Sequence, residues 1–243
     1  MEVERYARHL SLPGWGDAGQ EKVKKASVLV VGLGGLGCVA STYLAMAGVG
    51  RIGLVDADKV SLSNLQRQTL YRTKDIGFPK AVLAEKRLRQ INPTVDFKAH
   101  QQRLTSENAV GLIKNHDLVL DGTDNLSTRL IINQVCCQLD KPYVFGAVSG
   151  FDGQASVFQA SQGPCLRCLF PNPPGLGIEP TEEQRAVFNT MPSIIGAVQA
   201  TQAIKLILGR GDRLWGRLLL INVLDLSFQM VEIPKRKHCQ VCG

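Results

Sequence analysis

The sequence predicts an α/β fold: a mostly parallel sheet with helices on both faces, followed by an antiparallel C-terminal region. Three observations carry that prediction. Short apolar runs alternate with helically spaced patterns through residues 1–150, the signature of parallel strands joined by helices. A glycine-rich turn, Gly32-Leu33-Gly34-Gly35-Leu36-Gly37, separates the first apolar run from the first helical pattern. After Gly150 the alternation stops, and runs with strand character flank one long helical segment.

In chain order, residues 27–31 form a β-branched run closed by Gly32, residues 36–47 carry helical spacing, and residues 51–55 are a second apolar run. This is a strand–helix–strand unit. Further apolar runs at 118–120 and 143–145 are strands, and residues 80–91 and 126–139 carry helical patterns. Residues 153–159 and 217–231 look like antiparallel strands, with a long helix at 193–208 between them. Residues 171–180 contain Pro171, Pro173, Pro174, Gly175, Gly177 and Pro180, so a mobile crossing loop is expected there. The chain reads as one domain over 1–243, with a first half at 1–150 and a second half at 151–243.

A chain of 243 residues can bury about 70% of the surface it exposes when unfolded, so it needs no disulfide staples. Its seven cysteines require another explanation. No apolar run reaches the roughly 18 residues of a membrane span, and residues 193–209 are interrupted by Gln199, Gln202 and Lys205. The first residues carry charges of both signs and no apolar stretch, which is not a signal peptide. A cytoplasmic location with reduced thiols is expected. The net charge of +7 permits an anionic nucleotide, an acidic protein or a nucleic acid as partner. Because the basic residues are scattered, no nucleic-acid face is expected.

The glycines Gly32, Gly34, Gly35 and Gly37 stand where backbone must approach a phosphate and free N–H groups favour negative charge. Asp56 ends the second run about twenty residues further on, where a nucleotide fold places the acid that accepts hydrogen bonds from ribose. A nicotinamide-dependent dehydrogenase would satisfy these features equally. The segment that follows decides between them: Asp56 to Gln68 includes Asp58, Asn64 and Arg67, and Lys80 follows Gly77-Phe78-Pro79. Such a cationic and amide cluster suits a triphosphate and its departing pyrophosphate better than a dinucleotide. None of the four histidines lies in these motifs. Cys165-Leu166-Arg167-Cys168 and Cys239-Gln240-Val241-Cys242 are two CxxC pairs, the composition of a four-thiolate zinc site, with redox activity as the alternative. Cys38, Cys136 and Cys137 fall in helical patterns and are expected to be inert buried thiols.

The stretches 31–37, 56–68, 77–80 and Asp121-Gly122-Thr123-Asp124-Asn125 resemble the HesA/MoeB/ThiF family, bacterial relatives of ubiquitin-activating enzymes, and the similarity runs from Arg5-Tyr6-Ala7-Arg8 to the C-terminal cysteine pair. The resemblance implies a Rossmann-like fold and ATP-dependent adenylation of the C-terminal glycine of a small ubiquitin-like sulfur-carrier protein, with release of pyrophosphate. It implies that Asp56 holds the ribose, with Asp58 also at the nucleotide, that Asn64, Arg67 and Lys80 bind and polarise the phosphates, and that Asp124 holds Mg²⁺. Asp121 and Asp124 bracket a Gly-Thr turn, so Asp121 is a candidate to support that ligand, and a cap on the next helix is the alternative for either acid. Arg8 would reach the nucleotide of a neighbouring subunit, which requires a homodimer. Cys165, Cys168, Cys239 and Cys242 would hold Zn²⁺, and residues 151–243 would also bind the carrier. Many relatives carry a cysteine on the crossing loop; from Leu169 to Pro192 this chain has none. Adenylation alone is therefore expected, with sulfur delivered by a separate donor to a molybdenum-cofactor or thiamine type of pathway. Adenylation of a tRNA base or a peptide on the same fold, and a non-catalytic zinc-stabilised module, stay open as alternatives beside the dehydrogenase.

Overall fold

The computed structural model describes residues Glu2–Pro171 and Ala186–Gly243. The predicted crossing loop beyond Pro171 lies outside the described residues. Among them, the strands form one eight-stranded sheet of order β3-β2-β1-β4-β5-β6-β7-β8. These are β1 (Ser27–Val31), β2 (Arg51–Val55), β3 (Asp96–His100), β4 (Leu118–Asp121), β5 (Tyr143–Ser149), β6 (Asp152–Phe158), β7 (Arg217–Asn222) and β8 (Ser227–Glu232). The first five neighbours in that order pair in parallel, and β5 to β8 pair antiparallel. The predicted α/β architecture is therefore observed. The antiparallel region continues the parallel sheet through the β5–β6 hairpin rather than standing apart from it.

The inner strands β1 and β4 are buried along their whole length because helices cross both faces of the sheet there, whereas β8 at the edge is largely exposed. In β1, Val28 and Val30 pack with α4 (Gly35–Ala47), α5 (Lys80–Ile91) and the helix over 191–208, while Leu29 and Val31 pack with α6 (Ser106–Ile113) and α7 (Leu126–Gln138). Period-two alternation assigns the side chains to the two cores. Each such burial contributes about 1.5–3 kcal/mol. Ahead of the sheet lie α1 (Glu2–Arg5), α2 (Ala7–Leu10) and α3 (Gly16–Lys25), and α8 (Leu166–Leu169) follows β6; α9 spans Met191–Leu208.

The chain order places the site. From β1 the chain moves outward to β2 and β3, then returns across β1 to β4, so connections leave β1 and β4 in opposite directions. Ligands of open α/β sheets bind outside the C-terminal ends of strands at that divergence. Val31, Val55 and Asp121 are in register there, and the glycine turn, Asp56 and the Gly122–Asn125 turn follow them. Gly32 has φ +86, and a methyl group on it would lie 2.6 Å from the Gly122 carbonyl carbon. Only glycine fits a left-handed position pressed against a second turn.

By length and composition, α9 is apolar enough to cross a membrane. In the fold it packs on α4, β5 and β6 instead. Its buried Gln199 donates to the Asp121 carbonyl at 2.6 Å and to the Val144 carbonyl at 3.2 Å, so its polar residues brace the sheet.

Candidate active site

The glycine turn opens α4, with Gly34 as its N-cap and the first N–H groups of the helix directed outward. Asp56 ties this turn to the end of β2. Its carboxylate accepts from Leu33 N at 2.7 Å and from Asp58 N at 2.7 Å. Burial pushes the Asp56 carboxyl up, while the Lys80 ammonium and the two backbone donors oppose that shift. The Leu33 carbonyl in turn accepts from the buried Tyr71 hydroxyl at 2.9 Å.

After Asp56 the chain folds back over the turn. Residues Leu62–Asn64 form a single 3₁₀ turn; Asn64 Oδ1 accepts from Ser61 N at 3.2 Å, which closes the turn at its start. Arg67 Nη1 donates to the Ser63 carbonyl at 3.1 Å. Its stem lies against the loop, since a methyl on Gly35 would sit 3.5 Å from Arg67 Cγ. Lys80 begins α5 behind Pro79, a residue that cannot donate and suits a helix start. The Lys80 ammonium is buried and pairs with the exposed Asp58 carboxylate at 3.1 Å, while Lys80 N donates to the Asp58 carbonyl at 2.9 Å. Gly32, Gly34, Gly35, Gly37, Asp56, Asp58, Asn64, Arg67 and Lys80 thus come together around one helix N-terminus.

Asp124 stands on the turn that presses on Gly32 and is exposed. No described residue pairs with its carboxylate. Asn125 caps α7, its Oδ1 accepting from Thr128 N at 3.0 Å. Beneath the turn, Asp121 is fully buried and accepts from Thr123 N at 2.8 Å, Thr123 Oγ1 at 2.6 Å and the Tyr143 hydroxyl at 2.5 Å. Arg129 Nε lies 3.6 Å from the same carboxylate, and Arg129 Nη2 donates to the Thr123 carbonyl at 2.6 Å. Burial raises the Asp121 carboxyl, and Arg129 with these donors holds it back. Asp121 is thus a brace for the turn that presents Asp124. Arg129 and Tyr143 have no motif around them and are found only by their place in space.

Arg8 is not brought to this loop. It is exposed on α2 and lines a groove of about 370 Å³ with Arg5, His9, Tyr43, Met46 and residues of α9. Tyr6, two residues before it, packs on Gly48 and accepts from Asn92 Nδ2 at 2.8 Å. The segment is therefore seated at the C-terminal end of α4, and the glycine loop opens the other end. Thirteen helical residues span about 20 Å. Two histidines pack into the fold, His9 tilted against Trp15 with ring centroids 4.3 Å apart and His116 Nδ1 2.9 Å from the Leu112 carbonyl, while His238 is exposed.

The two CxxC pairs meet. The sulfurs of Cys165, Cys168, Cys239 and Cys242 lie within 4.8 Å of one another, with Cys165 to Cys239 at 3.7 Å and Cys168 to Cys242 at 3.5 Å. A tetrahedron of metal–sulfur bonds of about 2.3 Å has edges of about 3.8 Å, so the four thiols could hold one metal ion. Cys38 and Cys136 are buried as expected; burial pushes the Cys38 thiol up to about 12 and the Cys136 thiol up as well. Cys137 is different: it is half-buried and packs on the four-cysteine cluster. Helical spacing alone does not reveal that α7 turns this residue toward α8.

A doubly wound sheet whose glycine turn, half-buried acid and lysine meet at one helix N-terminus could hold a nucleotide. Residues 6–242 match the ThiF family, and the chain belongs to it. It is 47% identical over 247 residues to the sulfur carrier protein adenylyltransferase of Thermus thermophilus, covering all of this chain and 91% of that protein. It is 43% identical over 243 residues to the adenylyltransferase and sulfurtransferase MOCS3 of Anopheles gambiae, covering all of this chain and 55% of that protein. The chain thus spans about half the length of the MOCS3 relative. Escherichia coli MccB, solved with MccA-N7isoASN, shares the fold with TM-score 0.85 and 21% identity over 98% of this chain and 75% of that one. The chain is an enzyme of the adenylyltransferase class.

Proposed function

We propose that the chain uses ATP and Mg²⁺ to adenylate the C-terminal glycine carboxylate of a small ubiquitin-like sulfur carrier ending in Gly-Gly, releasing pyrophosphate. The observation that carries this reading is the convergence of Asp56, Arg67, Lys80 and the Asp124 turn on one glycine loop. A C-terminal carboxyl has a reference pKa of about 3.5, so it is already anionic near neutrality and needs no general base. One of its oxygens attacks the α-phosphorus, and the bond from that phosphorus to the bridging oxygen of pyrophosphate breaks. What remains for the protein is positioning and neutralisation of the departing charge. Asp56, with Asp58 beside it, would hold the ribose. Asn64, Arg67 and Lys80 would contact the phosphates, and Asp124 would hold Mg²⁺, which neutralises phosphate charge when bound. The absence of any histidine from this cluster fits such chemistry.

Nucleotide binding is assigned to residues 1–150, and carrier and zinc binding to 151–243. The carrier would dock on the exposed apolar edge formed by Leu224, Leu226, Phe228 and Met230 around the β7–β8 turn. That edge continues through the Val223 N to Phe151 O bond to the Phe151–Phe188 ring pair, 5.5 Å apart, just ahead of α9. Pro192 at the start of α9 abuts Gly35, so the surface leads to the glycine loop. The four cysteines fit Zn²⁺ in donor type and spacing, and reduced thiols suit a cytoplasmic location. Burial keeps Cys38 and Cys136 protonated. Neither is a ready nucleophile, which favours a separate sulfur donor for molybdenum-cofactor or thiamine-type transfer. The deciding experiment is exchange of labelled pyrophosphate into ATP. Exchange that requires a Gly-Gly-ended carrier is expected; exchange driven instead by tRNA or an unrelated peptide, or NADH bound more tightly than ATP, would refute the reading.

Arg8 would complete the nucleotide site of the partner in a homodimer. The Arg8→Ala enzyme should lose activity, and mixing it with Lys80→Ala enzyme should restore about a quarter of wild-type exchange, because half of randomly mixed dimers carry one intact site. Mixtures that stay as inactive as their parents would remove Arg8 from that role.

A further inference from the structure

We propose that Gln68 is a further nucleotide-binding residue, its side-chain carboxamide donating across Gly34 to a phosphate oxygen. This rests on the adenylation reading above. Gln68 is only 4% exposed, and its backbone is fixed on both sides: Gln68 N donates to the Asn64 carbonyl at 3.0 Å, and its carbonyl accepts from Tyr71 N at 3.2 Å. The side chain is not so settled. Its Oε1 is buried with no hydrogen-bond partner among the described residues, and none of them bonds Nε2. A methyl on Gly34 would lie 3.6 Å from Nε2, so the amide faces the loop at the N-cap of α4.

A buried amide without partners destabilises the protein that contains it, so each instance calls for a reason. If Gln68 served only to brace the loop, its carboxamide would bond loop backbone, as the Tyr71 hydroxyl does with the Leu33 carbonyl at 2.9 Å. It makes no such bond. It lies beside Gly34 while the neighbouring Arg67 stem lies beside Gly35, so the amide and that stem flank the stretch where helix N–H groups emerge. Phosphate oxygens accept and never donate, so the NH₂ edge is the half of the carboxamide that meets them. Two consequences separate: the buried Oε1 without a partner costs stability in the free enzyme, and the Nε2 donor beside Gly34 gains an acceptor when nucleotide binds.

Gln68→Leu and Gln68→Glu separate this role from a structural one, with calorimetric binding and the thermal midpoint of the free enzyme as readouts. Gln68→Leu should raise the midpoint of the nucleotide-free protein and weaken ATP about tenfold, with adenosine affinity unchanged within about twofold. Gln68→Glu, nearly isosteric but anionic, should weaken ATP about a hundredfold and adenosine far less. ATP bound by Gln68→Leu as tightly as by wild type would overturn the proposal. So would a lowered midpoint with adenosine and ATP weakened alike, the mark of a loop brace. A wild-type protein that bound no ATP would instead defeat the adenylation reading, and this proposal with it.

Discussion

Replacing Lys80 by alanine should lower carrier-dependent pyrophosphate exchange by about 10²- to 10³-fold, the usual cost of deleting one preorganised donor to a developing anion. Two sizes of effect have to be compared. The Lys80–Asp58 pair is the only ion pair the ammonium makes among the described residues, and the Asp58 side chain is 64% exposed. An exposed partner rehydrates when its cation leaves, so the pair contributes at most about 1 kcal/mol to stability. The thermal midpoint should therefore move little while turnover collapses. Lys80 itself is 6% exposed, so its charge acts where water screens poorly, between Asp56 and Asp58 at a helix N-terminus. Arginine should not rescue, because a larger planar guanidinium does not replace a compact ammonium at a position only 6% exposed.

A pH shift should accompany the loss. Lys80 opposes the burial that raises the Asp56 carboxyl, so removing it lets that carboxyl rise further. Protonated Asp56 loses acceptor capacity for ribose, and nucleotide binding is lost as pH falls through its pKa. The acid limb should therefore move to higher pH in Lys80→Ala. Exchange within a fewfold of wild type, or an acid limb that moves the other way, would show that Lys80 does not face the phosphates.

The site was legible where its parts are contiguous. The run 27–31, the glycine turn and the run 51–55 announce a strand–helix–strand unit because β-branched residues, glycine and helical spacing follow one another without interruption. The structure returns β1 and β2 with those bounds. By contrast β3 reads Asp-Phe-Lys-Ala-His, an edge strand with charged residues on its open side, and no apolar run marks it. Similarly α3 begins with glycine and buries only Gly19, Gln20 and Val23, too narrow a stripe to stand out. The seam between the two halves was invisible for another reason. Whether Tyr143–Ser149 pairs with both β4 and β6 depends on partners far apart in sequence, and composition says nothing of them. The same holds for Arg129 under the Asp124 turn and Gln68 beside Gly34. Each is an ordinary residue in a helix or loop until a distant strand end is placed against it.

Stripping metal from the four-cysteine site, or replacing Cys239 by serine, should lower the thermal midpoint by about 8–16 °C, the equivalent of about 4 kcal/mol in a domain of this size. Among the described residues the tail is otherwise held only by weak polar contacts, such as the exposed bond from Lys235 Nζ to the Ala160 carbonyl at 3.2 Å. Ile233 is the last residue of the chain in the main cores, residues 234–238 are exposed, and the tail packs on the cysteines themselves. Four thiolates within 4.8 Å repel one another, so without a cation they must take up protons. The site is therefore either charged and metal-bound or neutral and loose. Metal should be lost as pH falls, since protons compete for the same sulfurs. The damage should also be local first. The β7–β8 hairpin keeps its own ladder from Arg217–Glu232 to Asn222–Ser227, so protease should cut beyond Ile233 before the sheet melts. Calorimetry before and after chelation, with metal content measured on the same samples, checks the energy, and limited proteolysis checks the order. An unchanged midpoint after verified metal removal, or purified protein holding disulfides in place of metal, would return the two CxxC pairs to redox chemistry.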